Sequence, residues 1–118
     1  MVLKNGKVLM GMRKGYHGEG HWAWPGGHME YMESFEPCAK REVREETAIE
    51  IDSVHFLRVM NVKQHAPRHY VDIGLVADWQ EGAPLALEPN RVDAWEWRDM
   101  DNLSQLLFVT LSSYIRSI

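Results

Sequence analysis

Gly27, five residues, Glu33, seven residues, then Arg41-Glu42-Val43-Arg44-Glu45-Glu46-Thr47-Ala48-Ile49: this spacing sets four carboxylates and an arginine beside a glycine turn. On a helix turning about 100° per residue, Glu42, Glu45 and Glu46 fall within roughly a third of the circumference. Like charges that close repel. Such a face is either splayed into water or built to hold a divalent cation, because hard ions such as Mg²⁺ take oxygen ligands and share them with substrate phosphates. A charge run by itself usually means a solvated, salt-bridged face. That reading leaves Gly27 and Glu33, at fixed offsets ahead of the run, without a purpose.

The elements that must position these groups are legible in outline. Asn5-Gly6 between Val2-Leu3 and Val8-Leu9-Met10 is a hairpin signal. Gly15 to Gly20 reads as a flexible loop, and Trp22-Ala23-Trp24 as a short strand leading into Pro25-Gly26-Gly27. Ser34 is an N-cap and Pro37 falls in the first helical turn, where its missing N–H costs nothing, so a helix is expected over Phe35 to Thr47. Phe35, Cys38, Ala39 and Val43 form its inward stripe. Val54 to Val62 and Tyr70 to Asp78 read as antiparallel strands joined by a turn over Gln64 to His69, with Pro67 inside it. Trp95-Glu96-Trp97 alternates as a further strand, and Leu103 to Ile118 carries Leu106, Leu107, Val109, Leu111, Tyr114 and Ile115 as a second amphipathic helix. Strands, helix, strands and a final helix predict an α/β fold, an α/β/α sandwich around a mixed sheet.

At 118 residues the chain is long enough for a single domain and one core. With 45% hydrophobic and 25% charged residues it falls in the globular range and away from disorder. Its net charge of −4 offers no footprint for duplex nucleic acid. Cys38 is the single cysteine, so no internal disulfide can form. It is read as core rather than as a nucleophile. No apolar run reaches membrane-spanning length and no signal peptide opens the chain, which makes the cytoplasm the default location.

Eight of the nine defined positions of this run match the pattern G-x5-E-x7-R-E-U-x-E-E-x-G-U, in which U is bulky and aliphatic. The segment from Gly27 to Ile49 therefore resembles the Nudix box, with Ala48 in place of its last glycine. The resemblance is weaker outside the box. It extends from Val8-Leu9-Met10-Gly11-Met12-Arg13 to Trp95-Glu96-Trp97-Arg98-Asp99-Met100 and implies a Nudix domain over residues 1–118. It also implies a first strand that starts further upstream, so the one at Val2 is short or truncated. The family's metal ligands carry over as the Gly27 carbonyl, Glu42, Glu45 and Glu46, holding Mg²⁺ or its substitute Mn²⁺. Glu45 is either a ligand or the group that orients attacking water. Glu33 and Arg41 are expected to pair, the guanidinium fork positioning the loop and Glu42.

Around the substrate the resemblance places Arg13 and Lys14 on phosphate, Gly26 and His28 at the rim, and Leu107 and Phe108 on the last helix. Arg13 and Lys14 are otherwise a surface cation pair. Asp72, Glu88 and Asp93 are open alternatives for a further ligand or base. The six histidines show no zinc spacing, and His55 is expected to be packed. Trp22, Trp24, Trp95 and Trp97 serve the core or stack a base. The implied activity is that of a MutT-like, Mg²⁺-dependent hydrolase cutting a nucleoside triphosphate to monophosphate and pyrophosphate. The alternatives are hydrolysis of a nucleoside diphosphate linked to another group, such as ADP-ribose or a nucleotide sugar, and a non-catalytic nucleotide sensor. The expected partner is a small-molecule nucleotide, with no nucleic acid and no membrane. A short first strand and an apolar last helix make a homodimer a further expectation.

Overall fold

Asn5 and Gly6 take positive φ, 50° and 78°, the backbone that lets two residues turn a hairpin with the right twist. A computed structural model describes residues 1–14, 22–63 and 66–100. Its elements run β1 (Val2–Lys4), β2 (Lys7–Arg13), β3 (Trp22–Ala23), α1 (Phe35–Thr47), β4 (Glu50–Val62), β5 (Tyr70–Glu81) and β6 (Val92–Asp99). β1 folds back on β2 with Leu3 opposite Val8, the hairpin expected from Asn5-Gly6. β6 lies antiparallel to β2 from Lys7 to Arg13, so β1 and β3 share the other edge of β2, at Lys7-Val8 and Gly11-Met12. β1 is parallel to β5, while β4 and β5 form a long antiparallel hairpin. The sheet is therefore mixed, as expected.

Side-chain alternation puts one core on each face. On the α1 side, Val2, Leu9, Ile49, Ile51 and Ala77 meet Val43, with Ala39, Trp79, Trp95 and Trp97 packed around them. On the other side Val8 and Met10 are covered by Trp22, Trp24, Leu57 and Met100. All five tryptophans thus pack against the core. The expected glycine loop at 15–20 and the final helix at 103–118 lie outside the described residues. Among the described residues no helix is long and apolar enough to cross a membrane.

Helix α1 has the bounds the capping signals predict, although the Ser34 side chain makes no capping hydrogen bond. Cys38 and Val43 are buried. Phe35 departs from the expected stripe and is 49% exposed, because the core reaches along the helix only as far as Ala39 and Val43. His55 also departs from expectation. Ser53 takes φ 52° within a register shift between Asp52 and His55, and the extra residue reverses the alternation. Val54 turns to the core and His55 faces solvent.

The end of α1 is fastened by a later segment. Ala48 adopts the left-handed conformation, φ 66° and ψ 8°, and its N–H donates to Arg44 O. The carbonyls of Thr47 and Glu46, which have no partner within the helix, accept from Leu85 N–H at 2.8 Å and Leu87 N–H at 3.3 Å. Trp95 Nε1 also donates to Glu46 O at 3.2 Å.

Candidate active site

The Pro25-Gly26-Gly27 turn lies directly on the acidic face of α1. A Cβ at Gly27 would collide with the Glu42 carboxylate, so only glycine permits that approach. Gly26 is different: a Cβ there meets nothing within 4 Å. What the site uses at Gly26 is the N–H, which donates to Glu46 Oε2 at 2.9 Å. Two adjacent glycines thus bring the turn onto two carboxylates one helical turn apart.

Arg41 organises the other flank. Its Nε donates to Glu33 Oε2 at 2.7 Å and its Nη2 to Glu33 Oε1 at 2.8 Å, a two-pronged fork. Nη1 reaches Glu42 Oε1 at 2.8 Å and Glu45 Oε2 at 3.1 Å, and Nη2 also donates to His28 O at 3.0 Å. Glu33 in turn accepts from Glu30 N–H at 2.9 Å. The Arg41 bond and this N–H hold the Glu33 carboxyl down at about 2, while Glu33 first and Glu42 next raise Arg41. The expected pairing of Glu33 and Arg41 is present, with Glu45 added to it. The Glu45 side chain remains 55% exposed. Burial, with Glu33 beside it, pushes the Cys38 thiol up to about 11, which suits a core residue and not a nucleophile.

Glu46 sits in the opposite environment. It is 8% exposed, and burial pushes its carboxyl up to about 7, with Glu42 and Glu88 adding to the rise against the Gly26 N–H and Arg91. A carboxylate that costs this much to ionise inside a protein is a functional-site signal.

Of the three open carboxylates, Glu88 is the one that acts on Glu46. Asp93 pairs with Lys14 at 3.3 Å, and Asp72 lies on β5 opposite Met60. Lys14 therefore stands as the surface cation, in an exposed ion pair. Arg13 is half-buried; burial and the nearby Arg91 charge lower its pKa, and Glu46 opposes them. His28 rims the turn with an exposed ring 5.8 Å from that of Tyr70. Phe108 and Leu107 lie outside the described residues.

Arg91 carried no signal in the sequence. It is a lone cation after Pro89-Asn90, brought to the site by the pairing of β6 with β2 and by the bonds of the preceding segment to the end of α1.

The donor set around the glycine turn is all oxygen, which suits a hard divalent cation and not zinc. The glycine cradle beneath Glu42 and the burial of Glu46 both fit such an ion. Among the described residues no three His, Cys, Asp or Glu side chains form a ready cage. Carbonyl, water or phosphate oxygens would have to complete the shell, as they usually do for Mg²⁺.

A family model described as NUDIX domain matches residues 1–115. The chain belongs to the NUDIX family. Among solved structures, a MutT NUDIX hydrolase from Burkholderia pseudomallei superposes with a TM-score of 0.89 at 28% identity, covering 99% of this chain and 92% of that one. The α/β/α sandwich of the NUDIX fold is thereby shown. An oxidized purine nucleoside triphosphate hydrolase of Danio rerio is 30% identical over 104 residues, 87% of this chain. An ADP-ribose pyrophosphatase of Methanocaldococcus jannaschii is 31% identical over 109 residues, 92% of this chain. This NUDIX chain spans 65% and 63% of the lengths of those two relatives.

Proposed function

We propose that the protein is a Mg²⁺-dependent, MutT-like hydrolase that cuts nucleoside triphosphates to the monophosphate and pyrophosphate in the cytoplasm. The observation that carries this reading is the buried Glu46 carboxyl, held by Gly26 N–H and facing Glu42 and Glu88. A stable fold gains nothing from burying one carboxyl next to two more, whereas a cation site requires such a set.

A phosphoanhydride resists water chiefly because its negative charge repels the nucleophile. Glu42, Glu46 and the Gly27 carbonyl are assigned to hold Mg²⁺, which when bound neutralises phosphate charge and acidifies water. Arg13 binds phosphate from the end of β2. Glu45 orients the attacking water or completes the shell. Glu33 and Arg41 are positioning residues that set the angle of the loop and of Glu42. His28 lines the substrate, and Lys14 adds positive charge at the rim.

The Danio rerio relative favours a triphosphate substrate, and the Methanocaldococcus jannaschii relative favours the second reading, a nucleoside diphosphate linked to another group. A panel of both classes with Mg²⁺ separates them, and ¹⁸O water locates the attacked phosphorus. We expect triphosphates to turn over fastest, releasing pyrophosphate; label in the monophosphate marks attack at the α phosphorus and label in the pyrophosphate attack at the β. Faster release of AMP from ADP-ribose would favour the second reading. No turnover on any substrate, with nucleotide binding retained, would replace both with a sensor.

A further inference from the structure

Where β2 leaves the sheet, strand pairing gathers three cations at one end. Arg13 stands opposite Val92, and Lys14 N–H donates to Arg91 O at 2.7 Å, so Arg91 is beside the Arg13-Lys14 pair. Its position is fixed from the other direction too. The segment before it is bonded to the end of α1 through Leu85 and Leu87, then turned by Arg91 N–H and Val92 N–H donating to Glu88 O at 2.9 and 3.1 Å. Arg91 is thus held between Arg13 and the turn of α1 that carries Glu46.

The three cations are unequally engaged. Lys14 is matched by Asp93 at 3.3 Å. Arg91 reaches Glu88 only at 3.7 Å, with 57% of its side chain exposed. An exposed pair of that length is worth little, and a phosphate offering a two-pronged acceptor competes with it readily. The Arg91 charge bears on Arg13 and opposes its protonated form, and an anion bound by both removes that repulsion.

We infer that Arg91 binds substrate phosphate, forming with Arg13 a two-arginine clamp at the end of β2 and β6. The inference rests on the site being that of a nucleotide hydrolase. The clamp recognises the charge and spacing of linked phosphates, not the base. Arg91 exchanges its loose contact with Glu88 for phosphate oxygens, and its planar fork fixes the phosphate's orientation.

Calorimetric titration with inorganic tripolyphosphate in the presence of Mg²⁺, alongside steady-state kinetics on the best nucleotide, tests this. Arg91→Ala should weaken tripolyphosphate binding by about ten- to hundred-fold and raise KM far more than it lowers kcat. Arg91→Lys should recover part of the loss, because charge returns without the fork. Lys7→Ala, at the far end of β2, should bind as wild type. If Arg91→Ala melts far below wild type, Arg91→Gln decides, since it keeps length and polarity without charge. Unchanged tripolyphosphate binding by the charge-free variant, with wild-type hydrolysis intact, overturns the clamp and leaves the hydrolase reading standing. A wild type that neither hydrolyses nucleotides nor binds tripolyphosphate overturns both.

Discussion

Glu33 and Glu46 belong to one motif and meet opposite fates. Glu33 receives the Arg41 fork and a backbone N–H, and its carboxyl is held down at about 2. Glu46 is buried beneath the glycine turn beside two other carboxylates, and its carboxyl is pushed up to about 7. The chemical group is the same and the surroundings differ. The Arg41 flank is a scaffold whose carboxylates share one guanidinium as their partner. The Glu46 flank stores a negative charge that the protein alone compensates poorly, which is the condition a divalent cation relieves.

The sharpest way to break this contrast is to neutralise each residue in turn. Glu46→Gln should keep the fold and lower turnover by at least on the order of 10²-fold, a typical loss for a group at the reacting centre. Glu33→Gln removes a supporting contact and should cost on the order of 10- to 100-fold. Steady-state rates with Mg²⁺ compare the two. A Glu46→Gln enzyme more active than Glu33→Gln would invert the assignment of chemistry and support.

Stability against pH in EDTA examines the same contrast without catalysis. Glu46 binds its proton more tightly in the folded state than its ordinary 4.5. The stability this confers is fully present below about 4.5 and is lost as pH rises through about 7. Glu33 is depressed, so its contribution is present above about 4.5 and is lost as pH falls toward 2. The metal-free protein should therefore weaken on the alkaline side by on the order of 3 kcal/mol through Glu46. Glu46→Gln should flatten that limb in denaturant titrations at pH 5 and pH 8, and Glu33→Gln should leave it in place. An alkaline limb that persists in Glu46→Gln assigns the proton elsewhere. Saturating Mg²⁺ should flatten the limb in wild type as well, since binding to the native state alone raises its stability.

The smallest expected effect lies just past Glu46. Ala48 occupies a left-handed position, φ 66°, which costs a residue with a Cβ about 1–2 kcal/mol. Glycine removes that strain but loses about 0.5–1 kcal/mol through the greater freedom of the unfolded chain. Ala48→Gly should thus gain about 0.5–1 kcal/mol by the difference between these two values, read as a raised melting temperature with unchanged kcat. A lower melting temperature would show that the alanine side chain makes a contact outweighing its strain.

Much of the Arg41 flank was legible in the sequence because its contacts are near in the chain. Glu33 and Arg41 are joined by one loop and two helical turns, so spacing alone anticipates their meeting. The core role of Cys38 and the bounds of α1 were equally local, since capping and period belong to the helix itself. Phe35 was misplaced because periodicity gives the direction of a side chain and says nothing of where the core ends. His55 was misplaced because the positive-φ residue Ser53 shifts the register between Asp52 and His55 and turns the local alternation over. Neither signal is carried by hydrophobic pattern.

By itself the sequence determined the hairpin at Asn5-Gly6, the helix from Phe35 to Thr47 and the acidic set beside Gly27, because turn chemistry, capping and helical period act within a few residues. Tertiary structure decided how those acids divide. Only the packing of the Gly26 turn and the segment around Leu85 and Leu87 buries Glu46, and burial rather than residue type moves its proton affinity. The bonds of Leu85 and Leu87 to the end of α1 bring Glu88 to Glu46, and with the register of β6 on β2 they set Arg91 beside the end of β2 and Arg13, more than seventy residues away in the chain. Electrostatic energy depends on distance and on access to water, and for residues that far apart both are set by the folded sheet.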